Sequence, residues 1–236
     1  MNSTNSKNSM NSAIIVAAGS GTRFGSPVPK QFVEICGKPL LIHTLERFCL
    51  CPDVDEIVLV LPAGDAENFQ NTIEKYNLKK IVKVVAGGKT RYESVRSGLN
   101  AIDKRTVEIV AVHDGARPLV TSAEITETIE EARQTGAACL VAPLTDTIKE
   151  VADGKIIGTI DRAKLRRALT PQAFRYEILK RAFERDDLNE AATDECFLVE
   201  KLGCEISAVE GSARNIKVTN QEDLRIVENF LKQSAI

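Results

Sequence analysis

Ala13-Ile14-Ile15-Val16-Ala17-Ala18-Gly19-Ser20-Gly21-Thr22-Arg23-Phe24-Gly25, followed by Pro29-Lys30-Gln31, is the stretch that decides the fold. Its first five residues are apolar throughout, the pattern of a strand covered by helices on both faces. The glycines at 19, 21 and 25 predict a tight turn whose backbone N–H groups can point at an anion. Arg23 and Lys30 add two cations, so the stretch reads as a phosphate-binding loop on the end of a buried strand. It is neither of the two familiar glycine patterns. The third glycine falls at 25 where a dinucleotide fingerprint needs it at 24, and no GxxxxGK[ST] run exists.

Downstream, further apolar runs at 56–61, 82–85, 108–112, 138–142 and 205–209 alternate with amphipathic segments. Helices are predicted over 39–50, 66–77, 175–185, 194–202 and 221–232. Two more should start at Thr90 and Thr121, each of which has a glutamate three residues later in the spacing of a capping box. This alternation predicts an α/β fold, a mostly parallel sheet with helices on both faces and right-handed crossovers. Three strand ends carry polar, glycine-containing turns: the opening loop, Ala86-Gly87-Gly88-Lys89, and His113-Asp114-Gly115-Ala116-Arg117-Pro118. Ligands of open α/β sheets bind in the crevice beyond such ends.

Residues 145–160 break the rhythm. Alternating residues around Asp153-Gly154 predict a β-hairpin, within an arm at about 143–168. A projecting hairpin leaves unpaired edges that a second subunit can cover, so a dimerisation arm and a homodimer are expected. Residues 1–12, almost all Asn, Ser and Thr, read as a disordered tail, and 13–232 as one domain.

A net charge of −2 over 236 residues excludes a broad electrostatic footprint for nucleic acid, so phosphate recognition must be local. No apolar run approaches the roughly 20 residues of a membrane span. The six cysteines lack CxxC spacing and a histidine-rich context, as expected of reduced cysteines in the cytoplasm. Asp114, just past a buried strand, reads either as a Mg²⁺ ligand bridging phosphate oxygens or as a helix cap. His113 reads as structural.

Ala17-Ala18-Gly19-x-Gly21-x-Arg23, Pro29-Lys30-Gln31, His113-Asp114-x-Ala116-Arg117-Pro118, Leu169-Thr170-Pro171-Gln172, Thr193-Asp194-Glu195 and Asn215-Ile216-Lys217-Val218-Thr219 occur in order along the chain. Together they resemble the 2-C-methyl-D-erythritol 4-phosphate cytidylyltransferases of the non-mevalonate isoprenoid pathway. The resemblance implies a Rossmann-like fold of the nucleotide-diphospho-sugar transferase kind, and a homodimer whose arm completes the partner's site. It implies CTP and a phosphorylated sugar alcohol as substrates, with Mg²⁺ or another divalent cation as cofactor. By that similarity Lys30 and Lys217 would bind the α-phosphate, and Arg23 would hold the triphosphate and the departing pyrophosphate. Ala17, Ala18, Gly19, Gly21, Gly87, Gly88 and Ser94 would shape the nucleotide site, their small size favouring a pyrimidine, with Arg91 supporting the base. Asp114 and its neighbours would contact ribose and acceptor. Arg162, with Thr170 and Thr193, would bind the acceptor phosphate, and Arg117 is expected to face ligand. Pentitol phosphate cytidylyltransferases share the glycine loop, Pro-Lys-Gln, Thr-Pro-Gln and Asn-Ile-Lys, but His-Asp-Gly-Ala-Arg-Pro and Leu-Thr-Pro-Gln incline the reading to the tetritol enzyme. A non-catalytic nucleotide-binding regulator would need the loop without Lys30, Lys217 and Arg162 together.

Overall fold

In the first strand, β1 (Met10–Val16), successive side chains go to opposite faces: Ala13 and Ile15 enter one core layer and Ile14 the other. A computed structural model describes residues 9–19, 21, 24–25, 28–66, 69–185 and 192–233. β1 begins at Met10, ahead of the apolar run. Its polar start is drawn into the sheet because Asn11 is buried with partners, its N–H donating to Asp55 Oδ2 and its Nδ2 to Asp53 O, both at 2.7 Å.

A small hairpin follows, β2 (Glu34–Ile35) with β3 (Lys38–Pro39), then α1 (Leu40–Leu50) and β4 (Glu56–Leu61). The helix expected over 66–77 is instead two short ones, α2 (Ala63–Ala66) and α3 (Gln70–Lys75), with Phe69 buried between them. β5 (Ile81–Ala86), α4 (Arg91–Ala101), β6 (Val107–Asp114), α5 (Ser122–Thr135) and β7 (Ala137–Pro143) continue the alternation. Both anticipated capping boxes form, at Thr90–Glu93 and Thr121–Glu124. The arm is β8 (Ile148–Ala152) and β9 (Lys155–Ile160), and then come β10 (Arg166–Arg175), α6 (Tyr176–Phe183), α7 (Glu195–Glu200), β11 (Ser207–Glu210) and α8 (Gln221–Gln233).

The main sheet has seven strands in the order β11-β7-β10-β6-β1-β4-β5. Its pairs are parallel except those of β10, which runs antiparallel to both β6 and β7. Sequence reading missed β10 because Pro171 cannot donate to a ladder. The strand accommodates it at a register break between Ala168 and Gln172. Helices α1, α3 and α5 cover one face through Leu41, Leu45, Ile73, Ile125 and Ile129. Helices α4, α6 and α7 cover the other through Val95, Leu99, Leu179 and Leu198. A third, smaller cluster joins Phe24 of the glycine loop to Ile35, Leu40, Ala116, Val218 and, from α8, Val227 and Leu231. It brings the loop, the turn after β6 and the segment before α8 to one place.

The arm is a separate two-stranded sheet. Asp153 and Gly154 both have positive φ, +50° and +74°, as a two-residue hairpin turn requires. Val151, Ile156 and Ile157 are 58–66% exposed. Among the described residues no helix is long and apolar enough to cross a membrane.

Candidate active site

A cavity of about 480 Å³ opens beyond the carboxyl ends of β1, β5 and β6. Val16 to Gly19, Gly21, Lys30 and Gln31 form one wall, and residues 88 to 91 with Ser94 form another. Asp114, Ala116, Lys217 and Thr219 close it. The three glycine turns singled out in the sequence thus meet at one site, at the sheet edge where α/β folds bind ligands.

Local packing explains several of the small residues. A Cβ on Gly87 would stand 2.3 Å from Ala18 Cβ and 2.8 Å from Ser94 Oγ, so the turns after β1 and β5 touch only because Gly87 has no side chain. Gly21, at φ +63°, lies against the aliphatic stem of Lys30, where its Cβ would be 3.4 Å from Lys30 Cγ. The Ser94 hydroxyl accepts from Gly88 N–H at 3.2 Å and donates to Thr90 O at 2.9 Å, pinning the second turn to the start of α4.

At the centre lies Asp114, 6% exposed. Its Oδ1 meets Arg91 Nε at 3.2 Å, and its Oδ2 meets both Arg117 Nε at 3.2 Å and Lys217 Nζ at 3.0 Å. Burial alone would raise its pKa, but the three cations outweigh burial and hold the carboxyl well below the usual carboxylate range. The metal role expected for Asp114 does not fit this geometry, because both oxygens already face cations that a divalent ion would have to displace. Among the described residues no group of three or more His, Cys, Asp and Glu side chains is placed to hold an ion. Nor is Asp114 a helix cap, since Thr121 caps the next helix. Arg91 also pairs through Nη1 with Oε1 of the buried Glu195. Burial raises the pKa of Glu195 in spite of Arg91, which Asp114 shares, while Asp114 and Asp194 add repulsion.

His113 is fully buried, and burial pushes its pKa down to about 3. Its Nε2 faces Arg117 O at 3.2 Å, and a carbonyl can only accept, so Nε2 carries the proton. Nδ1 then accepts from the Thr170 hydroxyl at 3.0 Å, and that oxygen accepts from Asp114 N–H at 3.2 Å. His113 and Thr170 thus fix the backbone that carries Asp114.

The lysines arrive on different supports. Lys30 opens a 3₁₀ turn, Lys30–Phe32, and its Nζ donates to Val218 O at 2.9 Å. Lys217 lies in an extended segment tied down at several points. Asn215 Nδ2 donates to Thr170 O, Arg117 Nη1 donates to Asn215 O, and Val218 N–H donates to Ala116 O, at 2.8–2.9 Å. Asn220 and Asp223 then cap α8 reciprocally.

Of the residues expected at the site, Ala17, Ala18, Gly19, Gly21, Lys30, Gly88, Arg91, Ser94, Asp114 and Lys217 line the cavity. Gly87 packs just behind it, and Arg117 holds Asp114 from the side. Thr170 is buried beneath Asp114, where its hydroxyl accepts from Asp114 N–H, and it does not line the cavity. Arg162 is exposed at the foot of the arm, bonded to Thr145 O, and Thr193 is exposed before α7; neither lines the cavity. Arg23 falls outside the described residues. Sequence reading assigned no role to Gln31, Lys89, Thr219 or Glu195. The first three sit inside quoted turns and motifs, and Glu195 ends Thr-Asp-Glu, but nothing in the spacing said which way they point.

A mostly parallel α/β sheet with a cation-lined cavity over its glycine turns is the architecture of a nucleotide-binding site, and the comparisons with known proteins place it in the nucleotidyltransferase class. The family model for 2-C-methyl-D-erythritol 4-phosphate cytidylyltransferase matches residues 11–233. A protein of that name from Syntrophus aciditrophicus is 45% identical over 226 residues, 94% of this chain and 95% of the relative. Another from Desulforamulus reducens matches equally, at 45% over the same shares of the two chains. Among solved structures, 4-diphosphocytidyl-2C-methyl-D-erythritol synthase from Anaerococcus prevotii superposes with a TM-score of 0.83 at 31% identity, covering 95% of this chain and 99% of the other. The 2-C-methyl-D-erythritol 4-phosphate cytidylyltransferase from Francisella tularensis gives 0.78 at 34% identity, covering 94% and 99%. The chain belongs to the 2-C-methyl-D-erythritol 4-phosphate cytidylyltransferase family.

Proposed function

We propose that the cavity binds CTP and that the chain transfers its cytidylyl group to 2-C-methyl-D-erythritol 4-phosphate. The products are 4-diphosphocytidyl-2-C-methyl-D-erythritol and pyrophosphate. An oxygen of the acceptor phosphate attacks the α-phosphorus of CTP, forming a new P–O bond. The bond from that phosphorus to the oxygen bridging the β-phosphate breaks, and pyrophosphate leaves with the electron pair. Both reactants are anions, so alignment and charge neutralisation are the main catalytic tasks. The attacking phosphate is already ionised and needs no base. His113, buried and neutral with both nitrogens engaged, is not asked to provide one.

The observation that carries this reading is the convergence of Lys30 and Lys217 on a cavity walled by glycine turns, with Asp114 gathering Arg91, Arg117 and Lys217. Asp114 and Glu195 beside Arg91, Arg117, Lys217 and Lys30 leave an excess of positive charge for phosphate oxygens. Lys30 and Lys217 neutralise the α-phosphate as charge grows on it, and Arg23 holds the triphosphate and the leaving pyrophosphate. Ala17, Ala18 and Gly88 present backbone groups at the cavity wall to the edge of a pyrimidine, with Gly87 packed against Ala18 behind them. Asp114 is committed to cations, so this carboxylate would not hold a divalent ion; an ion carried by CTP would serve to lower the charge of its phosphates.

The acceptor phosphate is bound by Arg162, with Thr193, in a homodimer where the arm of one copy reaches the cavity of the other. Supporting this are the exposed Val151, Ile156 and Ile157 of a hairpin that, among the described residues, pairs with no other strand, and a cavity lining that among those residues does not include the same protomer's Arg162. Pyrophosphate release from CTP tests the reading, with 2-C-methyl-D-erythritol 4-phosphate and ribitol 5-phosphate compared side by side, with Mg²⁺ and with EDTA. Release with the tetritol phosphate and Mg²⁺ is expected. Preference for the pentitol phosphate, or no release with either, overturns it.

A further inference from the structure

Glu195 carries a carboxylate that the transfer as described does not use. Its side chain is 2% exposed, with Oε1 on Arg91 Nη1 and, among the described residues, no hydrogen-bond partner for Oε2. A buried carboxylate with a single cation is a poor stabiliser, because removal from water offsets the attraction. Incompletely satisfied polar groups of this kind are found where a site needs fixed geometry. The side chain is also not what holds α7 in place. The N–H groups of Glu195 and Cys196 both donate to Gln172 Oε1, at 3.2 and 3.1 Å. Gln172 Nε2 donates to Asp194 Oδ2 at 2.9 Å, and Asp194 Oδ1 accepts from Phe197 N–H at 2.9 Å. Gln172 from β10 and Asp194 thus fasten the start of the helix, and the Glu195 carboxylate is left with Arg91 as its partner.

Arg91 is the first residue of α4 and lines the cavity. Its Nε is held by Asp114 Oδ1 and its Nη1 by Glu195 Oε1, so two carboxylates from different elements fix the rotation of one planar guanidinium. Among the described residues Nη2 has no protein partner.

We infer that Glu195 is a positioning residue for the nucleotide: with Asp114 it locks the Arg91 guanidinium at the cavity wall, leaving Nη2 for a bound nucleoside triphosphate. The inference rests on the reading of the cavity as the CTP site. Without Glu195, Arg91 keeps one anchor and can swing about Nε, and Asp114 becomes its sole partner in competition with Lys217.

A double-mutant cycle tests this, using the full chain, Glu195→Ala, Arg91→Ala and the double variant, with the KM values for CTP and for the acceptor measured separately. Glu195→Ala should raise the KM for CTP about tenfold, the scale of one charge-assisted hydrogen bond, with the acceptor KM unchanged and kcat within about threefold. In the Arg91→Ala background it should add nothing further. Glu195→Gln keeps an oxygen for Arg91 and should recover part of the loss, and it carries the cycle if thermal melting shows Glu195→Ala to be unfolded. Additive losses, an unchanged CTP KM, or equal rises in both KM values overturn the inference. Failure of the cavity reading looks different, since the unmodified chain would then release no pyrophosphate from CTP. Calorimetric titration with CTP repeats the cycle without turnover, and a cycle that is additive there overturns the inference independently.

Discussion

At the end of β6, Asp114 is 6% exposed and touches Arg91, Arg117 and Lys217, with its backbone held by Thr170. At the foot of the arm, Arg162 is exposed and bonds to a neighbouring backbone carbonyl, Thr145 O. Both regions carry cations suited to phosphate, yet they differ in how completely one chain builds them. The first draws on β1, β5, β6, β10, α7 and the segment before α8, so its charges are oriented before any ligand arrives. The second rests on a two-stranded hairpin that, among the described residues, contributes to none of the buried core clusters, and such hairpins are marginal without a partner. The difference teaches that one chain preorganises the cavity at the sheet edge but not the arm around Arg162, which is the half that the proposed function assigns to completion by a second copy.

The sharpest way to break this comparison is at the lysines. Lys30→Ala and Lys217→Ala should each lower kcat about 100-fold, equivalent to about 3 kcal/mol of transition-state stabilisation, with the dimer intact by sedimentation. Near-normal turnover would remove that lysine from the mechanism. Next comes Gly87→Ala, where the new methyl group would overlap Ala18 Cβ. A cost of about 2 kcal/mol in stability is expected from such overpacking, read by denaturant unfolding together with a raised KM for CTP. An unchanged variant would mean that the two turns are not in fixed contact.

On the other side of the comparison, Arg162→Ala should raise the acceptor KM about tenfold while leaving that for CTP alone, since one charged contact is lost from the acceptor half only. At acceptor concentrations well below KM, mixing Arg162→Ala with Lys30→Ala should return about a quarter of normal activity, because half of randomly formed two-fold dimers are mixed and each of those has one intact site. No recovery in a verified mixed dimer would assign Arg162 to its own protomer.

The smallest effect is the dependence of stability on pH. Burial lowers the pKa of His113 from 6.5 to about 3, so below pH 6.5 the unfolded chain takes up a proton that the fold refuses. Its contribution is fully present above pH 6.5 and is lost as the pH falls toward 3, by at most about 1.4 kcal/mol per pH unit. His113→Asn should flatten melting temperature against pH between 6.5 and 4.5. His43, shifted in the same direction, remains in both proteins. Parallel curves would show that His113 is not the group responsible.

Several particular residues mark how far the sequence could be read. The run from Ala13, the capping boxes at Thr90 and Thr121, and the Asp153-Gly154 turn each express a local rule, and each element formed, though the first strand starts three residues earlier, at Met10. The cavity residues Gly19, Gly21, Gly88 and Asp114 were legible because they sit in turns at strand ends, and Lys30 and Lys217 because they sit in motifs that carry the family resemblance. β10 was hidden because Pro171 masks a strand whose partners, β6 and β7, are distant in sequence. The cations around Asp114 were hidden for a similar reason. An aspartate past a strand says nothing of the arginines and lysine that reach it from residues 91, 117 and 217.

By itself, then, the sequence determined the α/β alternation, the glycine turns, the hairpin arm and, through six ordered motifs, the family. These depend on side-chain periodicity and backbone freedom, which act over a few residues. Tertiary structure alone decided which charges share a buried space: Asp114 as an anchor for cations, Thr170 as its support, and Glu195 behind Arg91. Pairing energies in a partly desolvated cluster depend on distances between segments up to about a hundred residues apart along the chain. Only the folded sheet brings those segments together.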